Sequence, residues 1–236
     1  MPMLSNKKVI QISSIVFLAI EFVLFVLVQT ASGTANTVVS FGVVVLSCLF
    51  ALLMCEKSVD YALTQGALVA TVMADLFLVV LEPMNREAGM VFFSIAQICY
   101  FVKIYLCQDK KRRTAHLFVR LGVIIVALVA TVLVLGEDTD FLSLISLFYY
   151  ANLITSVVFA LMEKRKMLIF AIGLVLFAMC DAVIGLSTMA ELYIPVSEGG
   201  LLYSIIHPGF NLAWIFYVPS QALISYSLAH KRLTQK

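Results

Sequence analysis

The chain has 236 residues, of which 62% are hydrophobic and only 13% are charged, and its formal net charge is +2. A soluble globular domain is about 45–50% apolar and about 25% charged, so the composition excludes that class and indicates a polytopic membrane protein. We expect its partners to be membrane lipids, with no nucleic acid among them.

Eight apolar segments follow one another along the chain, each near the roughly 20 residues that cross the hydrocarbon of a bilayer. They predict spans at residues 9–29, 37–55, 59–81, 88–107, 117–136, 141–162, 167–189 and 202–229. The connections are short, so residues 1–236 are predicted to form a single integral-membrane domain, an all-α bundle of eight transmembrane helices. Pro208 and Pro219 predict a kink in the last span.

The first span has an alternative interpretation, because two lysines before an apolar run resemble a signal peptide. The run is longer than the usual signal core, and Glu21 interrupts it, which favours an uncleaved span.

Basic residues alternate along the chain in a way that predicts its orientation. Most of the 16 lysines and arginines precede span one, lie in the connections after spans two, four and six, or follow span eight. The positive-inside rule then places both termini in the cytoplasm, and we expect the protein in the cytoplasmic (plasma) membrane. Lys103 and Arg120 lie near the same side, where we expect their side chains to snorkel to the interface.

Two aspartates, Asp75 and Asp181, lie inside spans three and seven. An ionisable group in hydrocarbon costs about 2.5–3.5 kcal/mol on insertion scales, which makes each a functional-site hypothesis. A rise of about 1.5 Å per residue places both near the bilayer midplane. The same depth is predicted for the other strongly polar intramembrane side chains, which are Glu21, Gln97, Asn152, Tyr217 and Gln221.

These polar residues recur on single faces of their helices, which predicts a polar cavity inside the bundle. An aspartate span followed by a glutamine span occurs twice, as Asp75 then Gln97 and as Asp181 then Gln221. This order indicates a parallel four-plus-four pseudo-repeat. The three histidines, His116, His207 and His230, lie at different depths, so we expect no metal site and no cofactor.

Structural roles compete with functional ones for some of these residues. An asparagine in a membrane helix most often bonds a neighbouring helix, which favours a structural role for Asn152. Glu21 is interpreted mainly as a neutral, hydrogen-bonded carboxyl. A purely structural role for both aspartates at one level would be costly, which favours function for that pair.

Three short motifs resemble the YhhN-type lysoplasmalogenase family. They are Met73-Ala74-Asp75-Leu76 followed by Phe93-x-x-x-Gln97-x-x-Tyr100, then Phe177-Ala178-Met179-Cys180-Asp181, then Tyr217-x-x-x-Gln221-Ala222-Leu223-Ile224. The eight spans and short loops are similar to that family along the whole chain. The sequence departs from the family pattern at Ala74 (usually glycine), Gln97 (often histidine) and Cys180 (usually serine).

The resemblance implies an enzyme that hydrolyses the vinyl-ether bond of a lysophospholipid or another single-chain lipid. Asp75 and Asp181 would be the catalytic acid and base, because two carboxyls in one site can divide these tasks. Substrate binding or orientation would fall to Tyr217, Gln221, Gln97, Tyr100, Asn152 and Glu21. The alternative is a proton- or cation-coupled transporter, or a small-molecule or lipid binder without catalysis, since intramembrane carboxyls suit that class equally well.

Overall fold

The computed structural model describes residues 6–54, 56–163, 166–192, 200, 203 and 209–234. Within these residues the secondary structure is helical, without strands, and eight helices are long and apolar enough to span a membrane. The all-α fold class and the number of spans are thereby confirmed. The helices are α1 Lys7–Thr30, α2 Gly33–Leu53, α3 Val59–Asp75, α4 Arg86–Cys107, α5 Lys110–Leu135, α6 Phe141–Met162, α7 Leu168–Leu192 and α8 Leu212–Thr234.

Several helix ends differ from the predicted spans. The helix α5 begins at Lys110, so its basic first turns extend beyond the apolar segment predicted from residue 117. The helix α8 begins at Leu212, ten residues after the predicted start, which lies outside the described residues, as does Pro208. Pro219 lies inside α8. A five-residue π-helical turn, Leu76–Val80, continues α3 beyond Asp75.

Short polar side chains hold some helix starts. The Asp140 carboxyl accepts hydrogen bonds from the backbone N–H and the hydroxyl of Ser143, at 2.7 and 2.5 Å, and so caps α6. These hydrogen bonds lower the pKa of Asp140, which lies between two spans. The Asn85 side chain caps α4 in the same manner, accepting from the backbone N–H of Ala88 at 2.9 Å.

Seven of the helices pack in a closed ring, in the order α1, α2, α3, α4, α6, α7, α8. The helix α8 also contacts α2 and α3, so it lies towards the interior, and 50% of its span is buried. The helix α5 packs on the outside of α6, with only 11% of its span buried. The most extensive contacts join α3 to α4 and α7 to α8, which are the corresponding pairs of the predicted pseudo-repeat.

The end of the bundle that carries both termini, here called the terminal face, is held by an ionic cluster in which Lys103 is buried and Lys231 is partly exposed. The Asp60 carboxyl lies 3.4 Å from the Lys103 ammonium and 2.9 Å from that of Lys231, joining α3, α4 and α8. The Lys103 side chain is 5% exposed and also donates to the Thr64 hydroxyl at 2.6 Å. The prediction that Lys103 snorkels to the interface is therefore wrong, because Asp60 supplies its counter-charge inside the protein.

Arg120 is likewise buried, at 2% exposure, and the snorkelling prediction is wrong for it too. Its guanidinium donates to the Asn152 side-chain oxygen at 3.2 Å and to the Ser156 hydroxyl at 3.1 Å, both on α6. It also lies 4.3 Å from the centre of the Phe101 ring on α4. These contacts hold the cation within the α4–α5–α6 interface, while its Nε has no hydrogen-bond partner among the described residues.

We expect Asp60→Asn to lower the stability of the protein in detergent by about 3–5 kcal/mol, because it leaves buried Lys103 without a counter-charge. The measurement is the thermal unfolding midpoint followed by size-exclusion chromatography. Asp60→Asn combined with Lys103→Met should recover most of the loss, since no buried charge then remains unpaired. A single variant as stable as the wild type would contradict the structural role of the pair.

Gly173 allows α7 and α8 to approach closely. A Cβ at this position would lie 2.8 Å from Ile224 Cγ1, 3.1 Å from the Ile224 backbone nitrogen and 3.2 Å from the Ser220 carbonyl oxygen. Two of these neighbours are backbone atoms, which cannot move without moving the helix. Small residues at such positions are typical of close helix pairs in membranes.

We expect Gly173→Ala to lower the unfolding midpoint, with an overpacking cost of about 1–3 kcal/mol. The matched control is Gly122→Ala on α5, where a new Cβ would meet nothing within 4 Å. The control should be as stable as the wild type or slightly more stable. Equal effects of the two substitutions would show that the approach of α7 to α8 is not limiting.

Candidate active site

Asp75 is the last residue of α3, at the junction with the π-helical turn Leu76–Val80. Its side chain is 4% exposed and accepts a hydrogen bond of 2.5 Å from the hydroxyl of Tyr217 on α8. Single π-helical turns occur frequently at functional sites. The turn here follows directly on the carboxyl, so the change of helix type and the Tyr217 bond together define where Asp75 points.

Asp181 lies within α7, and its carboxyl accepts a hydrogen bond from the hydroxyl of Tyr149 on α6. Asp181 is half-buried, unlike Asp75, whereas Tyr149 is buried. The site thus contains two carboxyl–tyrosine pairs, each joining two different helices. Tyr149 is a site residue that the sequence did not identify, although it lies one turn before Asn152 on the same face of span six.

The ring of Phe177 connects the two pairs. Its centre lies 5.5 Å from that of Tyr217 and 6.4 Å from that of Tyr149. The Phe93 ring of α4 completes the cluster, 5.6 Å from Tyr149 and 5.8 Å from Phe177. The carboxyls of α3 and α7 therefore belong to one aromatic-lined group.

Three other predicted site residues are fully buried and partly unpaired. Neither side-chain polar atom of Gln97 has a hydrogen-bond partner among the described residues, and the same holds for the Gln221 side-chain oxygen. The Gln221 amide nitrogen donates to the Ser220 hydroxyl at 3.3 Å. The Tyr100 ring packs edge-on against Phe170 of α7, 5.3 Å between centres. The Tyr100 hydroxyl likewise has no hydrogen-bond partner among the described residues.

The remaining predicted site residues make other contacts. The Asn152 side chain bonds Arg120 and, through its amide nitrogen, the Phe148 carbonyl oxygen at 2.9 Å. One oxygen of Glu21 accepts from the Ser47 hydroxyl at 2.9 Å, which joins α1 to α2. These hydrogen bonds fit the structural roles considered for both residues, and none of them includes Asp75 or Asp181.

The Asp75–Tyr217 pair lies nearer one end of its helices than the middle, where the sequence predicted it. Asp75 lies five residues before Val80, and Tyr217 five residues after the start of α8 at Leu212. At about 1.5 Å per residue, each is about 7.5 Å from that end of its helix. The pair is therefore displaced towards the end of the bundle opposite the termini, here called the opposite face. The late start of α8 accounts for the difference at Tyr217, whereas α3 with its π-helical turn ends at Val80, one residue before the predicted end of span three.

No group of three or more His, Cys, Asp or Glu side chains that could hold a metal ion occurs in the described part of the chain. The site contains two carboxyls and two tyrosine hydroxyls. The surrounding aromatic rings are Phe93, Phe177 and Trp214, the last of which packs edge-on against Tyr217.

Comparison with known proteins identifies the class of this eight-helix membrane protein. The sequence model of the YhhN family matches residues 35–228, which is most of the chain and contains both aspartates, Tyr149 and Tyr217. The chain belongs to the YhhN family. No curated protein and no solved structure matches it.

Proposed function

We propose that this protein is an integral-membrane hydrolase that cleaves the vinyl-ether bond of a lysophospholipid, with Asp75 and Asp181 as its acid–base pair. The observation that carries the proposal is the pair of tyrosine-bound carboxyls, whose tyrosine rings both pack near the Phe177 ring. Family membership and the membrane-spanning fold support a lipid substrate. Lysoplasmalogenase-like activity is the expectation that the sequence motifs imply.

The chemistry requires one proton donor and one proton acceptor. A protonated carboxyl transfers its proton to the outer carbon of the vinyl ether, and the two alkene electrons form the new C–H bond. The adjacent carbon becomes an oxocarbenium ion, to which water adds as the second, ionised carboxyl takes one water proton. The resulting hemiacetal collapses to a fatty aldehyde and the glycerophospho-alcohol, with its hydroxyl proton passing to the leaving oxygen. One water is consumed in each cycle.

The surroundings of the carboxyls suit this reaction. Paired carboxyls stabilise a similar cation in glycoside hydrolysis. The faces of Phe93 and Phe177 add a favourable environment for a developing positive charge. Tyr149 and Tyr217 each hold one carboxyl oxygen, so each carboxyl retains its other oxygen for the substrate or for water. Preorganised groups of this kind lower a barrier because they need no rearrangement during the reaction.

A transporter remains the alternative, and one observation favours it. One face of α3 carries Asp60, Thr64, Thr71 and Asp75, a polar series that extends from the terminal face to the site. Such a series is typical of proton pathways. In proteoliposomes, uptake that depends on a pH gradient, without any lipid turnover, would support transport instead of hydrolysis.

The location in the cell is part of the proposal. The clustering of lysines and arginines at the terminal face supports a multi-pass protein with both termini in the cytoplasm. The membrane would be the cytoplasmic (plasma) membrane.

We expect Asp75→Asn and Asp181→Asn each to lower aldehyde release from a lysoplasmalogen by at least about 100-fold, since general acid–base groups contribute about 10²–10⁴-fold. Purified protein in detergent would be incubated with the lipid, and the products read by mass spectrometry. The control is Asp109→Asn, at an exposed helix start. Wild-type turnover by either aspartate variant would refute the acid–base assignment.

We expect Tyr149→Phe and Tyr217→Phe to lower kcat by about 10- to 100-fold, which corresponds to losing a hydrogen bond of about 1.5–3 kcal/mol to a charged group. KM should change little, because the hydroxyls bind carboxyls and not the lipid. Each variant keeps its aromatic ring, so the packing around Phe177 is preserved. A large rise in KM at constant kcat would instead indicate that the hydroxyls bind substrate.

A further inference from the structure

The two faces of the membrane lie at unequal distances from the Asp75–Tyr217 pair. Asp75 is 16 residues from the start of α3 at Val59, and Tyr217 is 17 residues from the end of α8 at Thr234. At about 1.5 Å per residue, the terminal face is therefore about 24–26 Å away along the helices. The opposite face is about 7.5 Å away by the same measure.

The half of the bundle between the site and the terminal face is filled with packed side chains. Leu68, Tyr100, Leu174 and Phe170 are all at most 2% exposed. Below them the Lys103 ammonium lies between Thr64 and Asp60 and over the Phe170 ring, 4.4 Å from its centre. An acyl chain coming from the terminal face through α3, α4 and α7 would have to displace these groups.

Of the two carboxyls, that of Asp181 is the more exposed. Asp181 is half-buried while Asp75 is buried. Beyond Asp181, the part of α7 that continues towards the opposite face is exposed at Ile184 (50%) and Leu186 (42%). In a membrane these side chains contact lipid. A lipid in contact with α7 can therefore reach Asp181, whereas the protein covers Asp75.

The structure of the substrate relates the depth of the site to the leaflet from which the substrate can reach it. In a lysophospholipid the vinyl ether is separated from the phosphate only by the glycerol carbons, so the reacting bond lies just below the headgroup layer. Bringing that bond to Asp75 from the terminal-face leaflet would draw the charged phosphate far into hydrocarbon, at a high cost in solvation. From the leaflet at the opposite face the phosphate can stay near water.

We propose that the protein takes its lysolipid substrate from the leaflet at the opposite face, entering beside Asp181. The headgroup stays at that surface and the chain extends towards the membrane centre along α7. The identity of the substrate rests on the proposed function, whereas the side of entry rests on the depth and exposure of the site.

The experiment uses the full chain with a C-terminal affinity tag, reconstituted into phosphatidylcholine vesicles. Capture through the tag separates vesicles with the termini outside from those with the termini inside. A lysoplasmalogen is added externally, and initial aldehyde release is measured before and after detergent is added. In parallel, a non-hydrolysable alkyl-ether lysophosphocholine with a photoreactive group near the glycerol is added externally, and cross-linked peptides are identified.

We expect vesicles with the termini inside to release aldehyde at least ten-fold faster than the other population before detergent, and the two to be equal afterwards. Cross-links should fall in the α7 peptide around Asp181 and only in vesicles with the termini inside. Equal or reversed sidedness of the cross-links would overturn the inference. Sided cross-links without aldehyde release, even in detergent, would support the side of entry and reject the proposed hydrolysis.

Discussion

The hydrogen bond from a tyrosine on one helix to a carboxyl on another is the interaction on which the rest of this structure depends. Hydrocarbon offers no partner for a polar group, so a carboxyl inside the membrane has to be satisfied by the protein. Tyr217 satisfies Asp75 and joins α8 to α3, while Tyr149 satisfies Asp181 and joins α6 to α7. The same bonds that make the carboxyls tolerable also bring four helices together around the candidate site.

The two ends of the bundle meet the polar constraint in different ways. At the terminal face, the Asp60 carboxylate pairs with the ammonium groups of Lys103 and Lys231 and so joins α3, α4 and α8. Nearer the opposite face, each carboxyl has a neutral tyrosine partner, and its other oxygen has no hydrogen-bond partner among the described residues. Charge pairing uses up the hydrogen-bonding capacity of a group, whereas a single tyrosine bond leaves capacity for another molecule. This difference separates a structural end from a candidate reactive end in one helix bundle.

Hydropathy alone was enough to predict eight helices, because each span has to be long and apolar whatever its neighbours are. It also singled out Asp75 and Asp181, because the free-energy cost of an ionisable side chain in a membrane depends on its depth. It could not predict that Tyr149 would meet Asp181, or that Lys103 would be buried, since those facts depend on which distant helices become neighbours. The π-helical turn after Asp75 left no signal in the hydrophobic pattern. Tyr217 was singled out by its predicted depth, and the family-like motif contains it as well.

Gln97 bears on whether the two carboxyls alone can carry out the proposed proton transfers. An amide does not exchange protons near neutral pH, so Gln97 cannot act as acid or base where a relative has histidine. Under the proposed mechanism this loss is tolerable, because one carboxyl gives the proton and the other receives one from water. A buried amide with both polar atoms free can still donate to an ether oxygen or accept from water. Under the proposed mechanism, residue 97 is therefore limited to orientation, and all proton transfer falls to Asp75 and Asp181.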